Sequence, residues 1–206
     1  MKTRKIRSLS VSEIGMGCMG FSHGYGQVPD AGYAEEAIRE AFGYGCNFFD
    51  TAEGYGKELY YPGHNEEIVG RAVKGFRNEA VIATKLHIQP ETVEDCGSVY
   101  AAVRRPLERS LKNLQTGYVD LYYLHRINME VDYLEVAHAM GRLIQEGLVR
   151  EWGISAVDKA QLEAAHAVTP VGAVQNIYSM VERTSEKDVI CLLYTSPSPR
   201  DPKTSR

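Results

Sequence analysis

Apolar residues along this chain keep two alternating rhythms. Short unbroken runs occupy residues 13–17, 47–50, 80–85, 118–124, 149–155 and 173–175. Between them the apolar positions recur at helical spacing over 33–44, 65–74, 98–114, 134–146 and 159–167. Ala34, Ala37, Ile38, Ala41 and Phe42 mark the first of these stripes, and Val99, Val103, Leu107 and Leu111 the third. Ser98 is placed to cap the third helix, and glycines stop the first, second and fourth. Strand followed by helix, repeated, demands a parallel sheet with helical crossovers. Ahead of it, residues 6–9 and 11–12 suit a small hairpin. Three of the runs end on chemistry: 47–50 ends at Asp50 with Tyr55 just beyond, 80–85 ends at Lys85, and 118–124 is followed by His125. The C-terminal ends of parallel strands are where α/β barrels gather their catalytic groups.

Four motifs in order, DTAEGYG at 50–56, Thr84-Lys85, LYYLH ending at His125 and WGIS at 152–155, resemble the aldo-keto reductases. The resemblance runs from about residue 5 to about residue 186. It implies a (β/α)8 TIM barrel and an NAD(P)H-dependent oxidoreductase reducing aldehydes or ketones, with NADP(H) expected ahead of NAD. It also implies a catalytic tetrad of Asp50, Tyr55, Lys85 and His125, for which each residue type has a chemical reason. Carbonyl reduction needs a proton donor opposite the hydride, and a free phenol titrates near pH 10. A neighbouring lysine is expected to lower that value, an aspartate to orient the lysine, and a histidine to polarise the carbonyl. By the same resemblance Ser155 and Gln175 are expected to bond the nicotinamide carboxamide, and Asp50 and Met19 to touch the cofactor, Met19 through its backbone. Ala156 stands where the family often has Asn.

The barrel is expected to be incomplete. Its usual length is roughly 250 residues, whereas this chain has 206, which accommodates about six strand-helix units and leaves strands seven and eight missing. Residues 1–190 read as a partial barrel domain. From Cys191 onward, CLLYTSPSPRDPKTSR suits neither strand nor helix, because proline fixes φ and removes a backbone donor. That tail is expected to be disordered or foreign to the family, with a natural tail bearing Ser-Pro phosphorylation sites as the alternative.

With 27 acidic and 23 basic side chains, the charge balance implies no partnership with nucleic acid or an anionic membrane. No stretch approaches the roughly 20 apolar residues of a membrane span, and the basic N-terminus lacks a signal-type apolar core. A cytoplasmic protein acting on a small carbonyl substrate is the default, and its oligomeric state is not legible. The four cysteines, Cys18, Cys46, Cys96 and Cys191, have no metal-ligand spacing and read as small buried hydrophobes.

Other signals have plainer explanations. Gly15, Gly17 and Gly20 spell GxGxxG, but a glycine-rich loop follows where a dinucleotide fingerprint must open a helix. HNEE at 64–67 lacks the second histidine of a metalloprotease helix and reads as a helix N-terminus with acids at its positive end. His23, His87, His138 and His166 read as structural or solvated, Trp152 as barrel packing, and Arg126 as either a contact for an anionic substrate or a surface ion pair. Tyr178 is not assigned to nicotinamide stacking, which belongs to the seventh strand. Two other functions stand beside the reductase: a non-catalytic, nucleotide-binding regulatory barrel, and an inactive fragment of the enzyme.

Overall fold

The computed structural model describes residues 1–23 and 27–190. The tail from Cys191 lies outside them, so the expectation about it is not addressed. The hairpin comes first, β1 (Thr3–Ile6) against β2 (Leu9–Ser12), with Ile6 opposite Leu9. Its turn therefore falls on Arg7 and Ser8, and Arg7 takes a left-handed φ of 48°. The expected strand at 6–9 is corrected by about three residues. Leu9 and Val11 are buried against Val81, Ala83, Leu121 and Tyr123, and that burial sets the register. Ser8 donates its hydroxyl to Glu151 Oε1 at 2.6 Å and Arg7 pairs with Glu151 Oε2 at 3.1 Å, fastening the hairpin across the N-terminal ends of the parallel strands.

Six parallel strands follow in chain order: β3 (Met16–Gly17), β4 (Phe48–Asp50), β5 (Val81–Leu86), β6 (Val119–Leu124), β7 (Val149–Ser155) and β8 (Ala173–Gln175). Each pairs with the next, and among the described residues β3 and β8 each pair on one side only. The sheet is an open part of a barrel, as expected. The first strand is shorter than the expected 13–17.

Helices α1 (Ala31–Gly43), α2 (His64–Val73), α3 (Pro90–Cys96), α4 (Val99–Asn113), α5 (Tyr133–Gln145) and α6 (Lys159–Val168) cover the outer face. Ser98 caps α4 as expected, accepting from Ala101 N–H. The sequence pattern missed α3, which is one to two turns long and buries no residue; Pro90 starts it and Gly97, at φ 73°, ends it.

Strand alternation divides the core in two. Ile82, Leu86, Tyr122, Trp152 and Ile154 face the helices, while Ala83, Leu121 and Tyr123 face the interior. Trp152 is fully buried and its indole N–H donates to Thr169 O at 3.1 Å, so it is packing as read. Gly153 is required beside it, because a Cβ there would lie 2.4 Å from the Tyr123 ring. HNEE opens α2 with Glu66 and Glu67 in the first turn, as read, and Glu66 is wholly buried there, accepting from Thr84 Oγ1 at 2.6 Å and from Asn113 Nδ2 at 3.0 Å. Among the described residues only the single turn 19–21 forms between β3 and α1, where the dinucleotide fingerprint of the glycines would need a helix. No helix among the described residues is long and apolar enough to cross a membrane.

Candidate active site

Asp50 is the last residue of β4, Lys85 the fifth of β5, and His125 follows β6 directly. Between β4 and α2 the chain turns tightly: Tyr55 N–H donates to Ala52 O, and Thr51 Oγ1 donates to the buried Asn65 at 2.6 Å. Gly56 closes that turn at φ 100°, a conformation that L side chains rarely adopt. This local folding brings Tyr55 back over the strand ends.

The four groups meet. Lys85 is fully buried, and its Nζ donates to Asp50 Oδ2 at 2.6 Å, to Thr51 O at 2.7 Å and to the Tyr55 hydroxyl at 3.5 Å. The His125 ring stands edge-on to Tyr55, centroids 6.0 Å apart. On the other side Gln175 Nε2 donates to Asp50 Oδ1 at 3.2 Å, and Ser155 is the register partner of Gln175 on β7. Asp50 thus links the reactive groups to β8.

The electrostatics differ from the expectation at one point. Burial first, then the charges of Asp50 and Cys18, push the Tyr55 phenol up to about 12. Burial pulls Lys85 down, against the raising effect of Asp50. The lysine that was expected to acidify the phenol is matched by Asp50 at 2.6 Å and stands farther from the hydroxyl, so Tyr55 remains protonated at every physiological pH. His125 is pulled down to about 3, by burial first and then by His87, Lys85 and Arg126. It is therefore neutral and able to donate a hydrogen bond without bringing a charge.

On the side of β7 and β8 the groups fit a carboxamide. Ser155 is buried and its hydroxyl has no partner among the described residues, and the Gln175 amide lies beside it with capacity to spare. Ala156 follows at φ 56°, in the left-handed region that asparagine tolerates better than alanine. Met19 sits in the turn after β3, where its carbonyl already accepts from Ser22 and His23.

Residues 13–194 match the aldo/keto reductase family. The chain belongs to the aldo/keto reductase family. It is 35% identical over 190 residues to a probable aldo-keto reductase 1 of Glycine max, covering 90% of this chain and 53% of that protein. It is 37% identical over 183 residues to the aldo-keto reductase yakc [NADP(+)] of Schizosaccharomyces pombe, covering 86% and 52%. The chain thus spans about half the length of these curated relatives. Among solved structures, the holo aldo-keto reductase AKR11C1 of Bacillus halodurans superposes with a TM-score of 0.78 at 30% identity, over 94% of this chain and 63% of that one. An aldo-keto reductase of Klebsiella pneumoniae in complex with NADPH superposes at 0.77 and 29%, over 94% and 65%.

Of the histidines set aside in the sequence, His23 pairs with Glu58, His138 is exposed, and His166 accepts from Val171 N–H. His87 is exposed, in line with its reading as structural or solvated, but its ring lies 4.3 Å from that of His125, centroid to centroid, a neighbourhood the sequence reading did not give it. The signal was in the spacing, since residue 87 is two beyond Lys85 and points to the same face of an extended segment. Glu53 and the carbonyl of Thr51 were also missed. Arg126 is exposed and makes no ion pair among the described residues. Tyr178 is exposed and donates to Glu186, in keeping with its exclusion from the site. Cys18 and Cys46 are buried, Cys96 is half-buried, and Cys191 lies outside the described residues.

Proposed function

We infer that this protein is an NADPH-dependent oxidoreductase that reduces aldehydes or ketones to alcohols, using Tyr55 as general acid. The observation that carries this is the buried Lys85, bonded to Asp50 and the Thr51 carbonyl and 3.5 Å from the phenol, with a neutral His125 beside it. A cation is costly to bury unless it is paired, and one held at the edge of a strand-end cluster has more use in chemistry than in packing. The NADP(+) named for the Schizosaccharomyces relative and the NADPH held by the Klebsiella structure favour NADPH over NADH.

Bound NADPH supplies the hydride that goes to the carbonyl carbon. Around it, Ser155 and Gln175 hold the carboxamide, and His125 donates its N–H to the carbonyl oxygen and draws electron density toward that oxygen. Tyr55 delivers a proton to the same oxygen as negative charge develops there. Lys85, 3.5 Å from the hydroxyl, offsets part of the charge of the phenolate left behind, while Asp50 opposes that charge and returns the proton to Tyr55. With the full-length protein, Tyr55→Phe is expected to lower kcat/KM for a generic aldehyde by at least about 100-fold, the low end of what general acid catalysis contributes. NADPH affinity, read from its fluorescence, should stay nearly unchanged. Retention of more than half the wild-type rate removes Tyr55 from the role of acid.

A further inference from the structure

Among the described residues, no side-chain hydrogen bond aims the His125 ring. Its Nδ1 is buried and has no partner, although a reactive imidazole is ordinarily oriented by a third group. Two rings lie beside it: Tyr55, edge-on with centroids 6.0 Å apart, and His87 at 4.3 Å, inclined by 42°. His87 is itself held by its backbone N–H, which donates to Glu53 Oε1 at 2.8 Å. Glu53 is anchored at both ends of its own peptide, donating from N–H to Lys85 O at 3.3 Å and accepting at its carbonyl from Gly63 N–H at 2.8 Å.

We propose that Glu53 and His87 are positioning residues for carbonyl reduction: the Glu53 carboxylate tethers the chain after β5, and the tethered His87 ring fixes the angle at which His125 meets the substrate. This rests on the reading of His125 as the group that binds the carbonyl oxygen. It explains why a ring without a hydrogen-bonded orienter can be held in one pose, and it gives the glutamate of DTAEGYG a task that neighbours in sequence do not reveal.

The tether is sensitive to charge. Glu53 lines a cleft of about 670 Å³ between α2 and α4, together with Lys57 of its own loop, Glu66 of α2, Arg109 of α4 and His87. The Tyr122 phenol of β6 lies within electrostatic reach of it. Burial first, and Glu66 in the same direction, push the Glu53 carboxyl up to about 7 against the opposing effects of the His87 N–H and Arg109. Burial first, and then the charges of Lys57, Arg126 and Lys85 that the His87 ring faces, hold its imidazole below the ordinary value. The carboxylate therefore holds the His87 N–H with a full charge above about pH 7, and that charge-assisted bond weakens as the pH falls through this value.

The test uses the full-length protein with isotope-labelled histidine, comparing wild type, Glu53→Ala, Glu53→Gln, His87→Ala and the double alanine variant. Both the ring resonances of His125 and the pH profile of kcat/KM are followed. Glu53→Ala should lower kcat/KM by about tenfold or more, the scale of a lost charge-assisted hydrogen bond, and shift the His125 resonances. Glu53→Gln, whose amide oxygen can accept the same bond, should recover most of the rate and lose the acidic limb near pH 7. His87→Ala should match Glu53→Ala, and combining the two should cost little more than either alone, because they act as one unit. The proposal is overturned if Glu53→Ala leaves rate and resonances at wild-type values, if Glu53→Gln falls as far as Glu53→Ala, or if the two alanine losses multiply. A wild-type protein that binds NADPH but turns over no carbonyl defeats the functional reading alone. The clamp is then judged by whether the His125 resonances move in Glu53→Ala and not in Glu53→Gln.

Discussion

Strands β4 to β6 and strands β7 to β8 carry their polar groups in opposite ways. On the first set the groups are bonded to one another: Lys85 has three oxygen partners and Asp50 accepts from both Lys85 and Gln175. On the second, among the described residues the Ser155 hydroxyl is unpartnered and the Gln175 side chain makes a single 3.2 Å bond, and Ala156 sits in a left-handed conformation that suits another residue type. The sheet follows the same division. Strands β5, β6 and β7 pair over long stretches in the middle, whereas β8 has three residues and one neighbour. Asp50, Tyr55, Lys85 and His125 are brought together by the fold itself. The groups expected to meet the cofactor keep their bonding capacity open.

The largest effect expected from this contrast concerns the edges. Residues 1–206 on their own should show helix by circular dichroism, yet melt broadly and without a shift on adding NADPH. Among the described residues strands β3 and β8 each have one side without a strand partner, and an unpaired row of backbone donors and acceptors invites association. Just past β8, Met180 and Val181 are 96% and 95% exposed. A sharp melt raised several degrees by NADPH would erase the distinction between the two sets of strands. Next in size is Lys85→Met, which leaves Asp50 in the interior without its cation. Breaking a buried pair costs about 3–5 kcal/mol, so chemical denaturation should show a loss of that order. kcat should drop as well, and the apparent pKa of the acid should rise because Asp50 then acts on Tyr55 unopposed. An unmoved basic limb in the kcat/KM profile would mean that another group governs the phenol. The smallest effect is a gain: Ala156→Asn should stabilise the protein by about 1 kcal/mol, since asparagine enters the left-handed region more readily than alanine. Equal or lower stability in a denaturant titration would show that the turn is not strained.

Much of this was legible because the periodicity is local. The helical stripes and apolar runs located five of the six helices and the six parallel strands, and the strand-end positions of Asp50, Lys85 and His125 came with them. Ser98 announced its cap by residue type alone. The hairpin register was not legible, because Arg7 and Ser8 carry no turn signature and the deciding contacts are those of Leu9 and Val11 with strands more than 70 residues away. Helix α3 was lost for lack of an apolar stripe. His87 and Glu53 were missed for a related reason: their importance lies in a 2.8 Å bond between residues 34 apart and in a ring contact between β5 and β6. The direction of the Tyr55 shift was misread because proximity to a lysine was weighed without the aspartate that matches it.

Lys85 is matched by Asp50, and burial together with Asp50 keeps Tyr55 a phenol at physiological pH. Ultraviolet difference titration of wild type against Tyr55→Phe isolates the ionisation of this one tyrosine without needing turnover. The predicted result is a midpoint well above the ordinary phenol value of about 10, near the 12 that burial and Asp50 impose. A midpoint at or below 10 would contradict it, placing the charge of Lys85 on the phenolate rather than on Asp50.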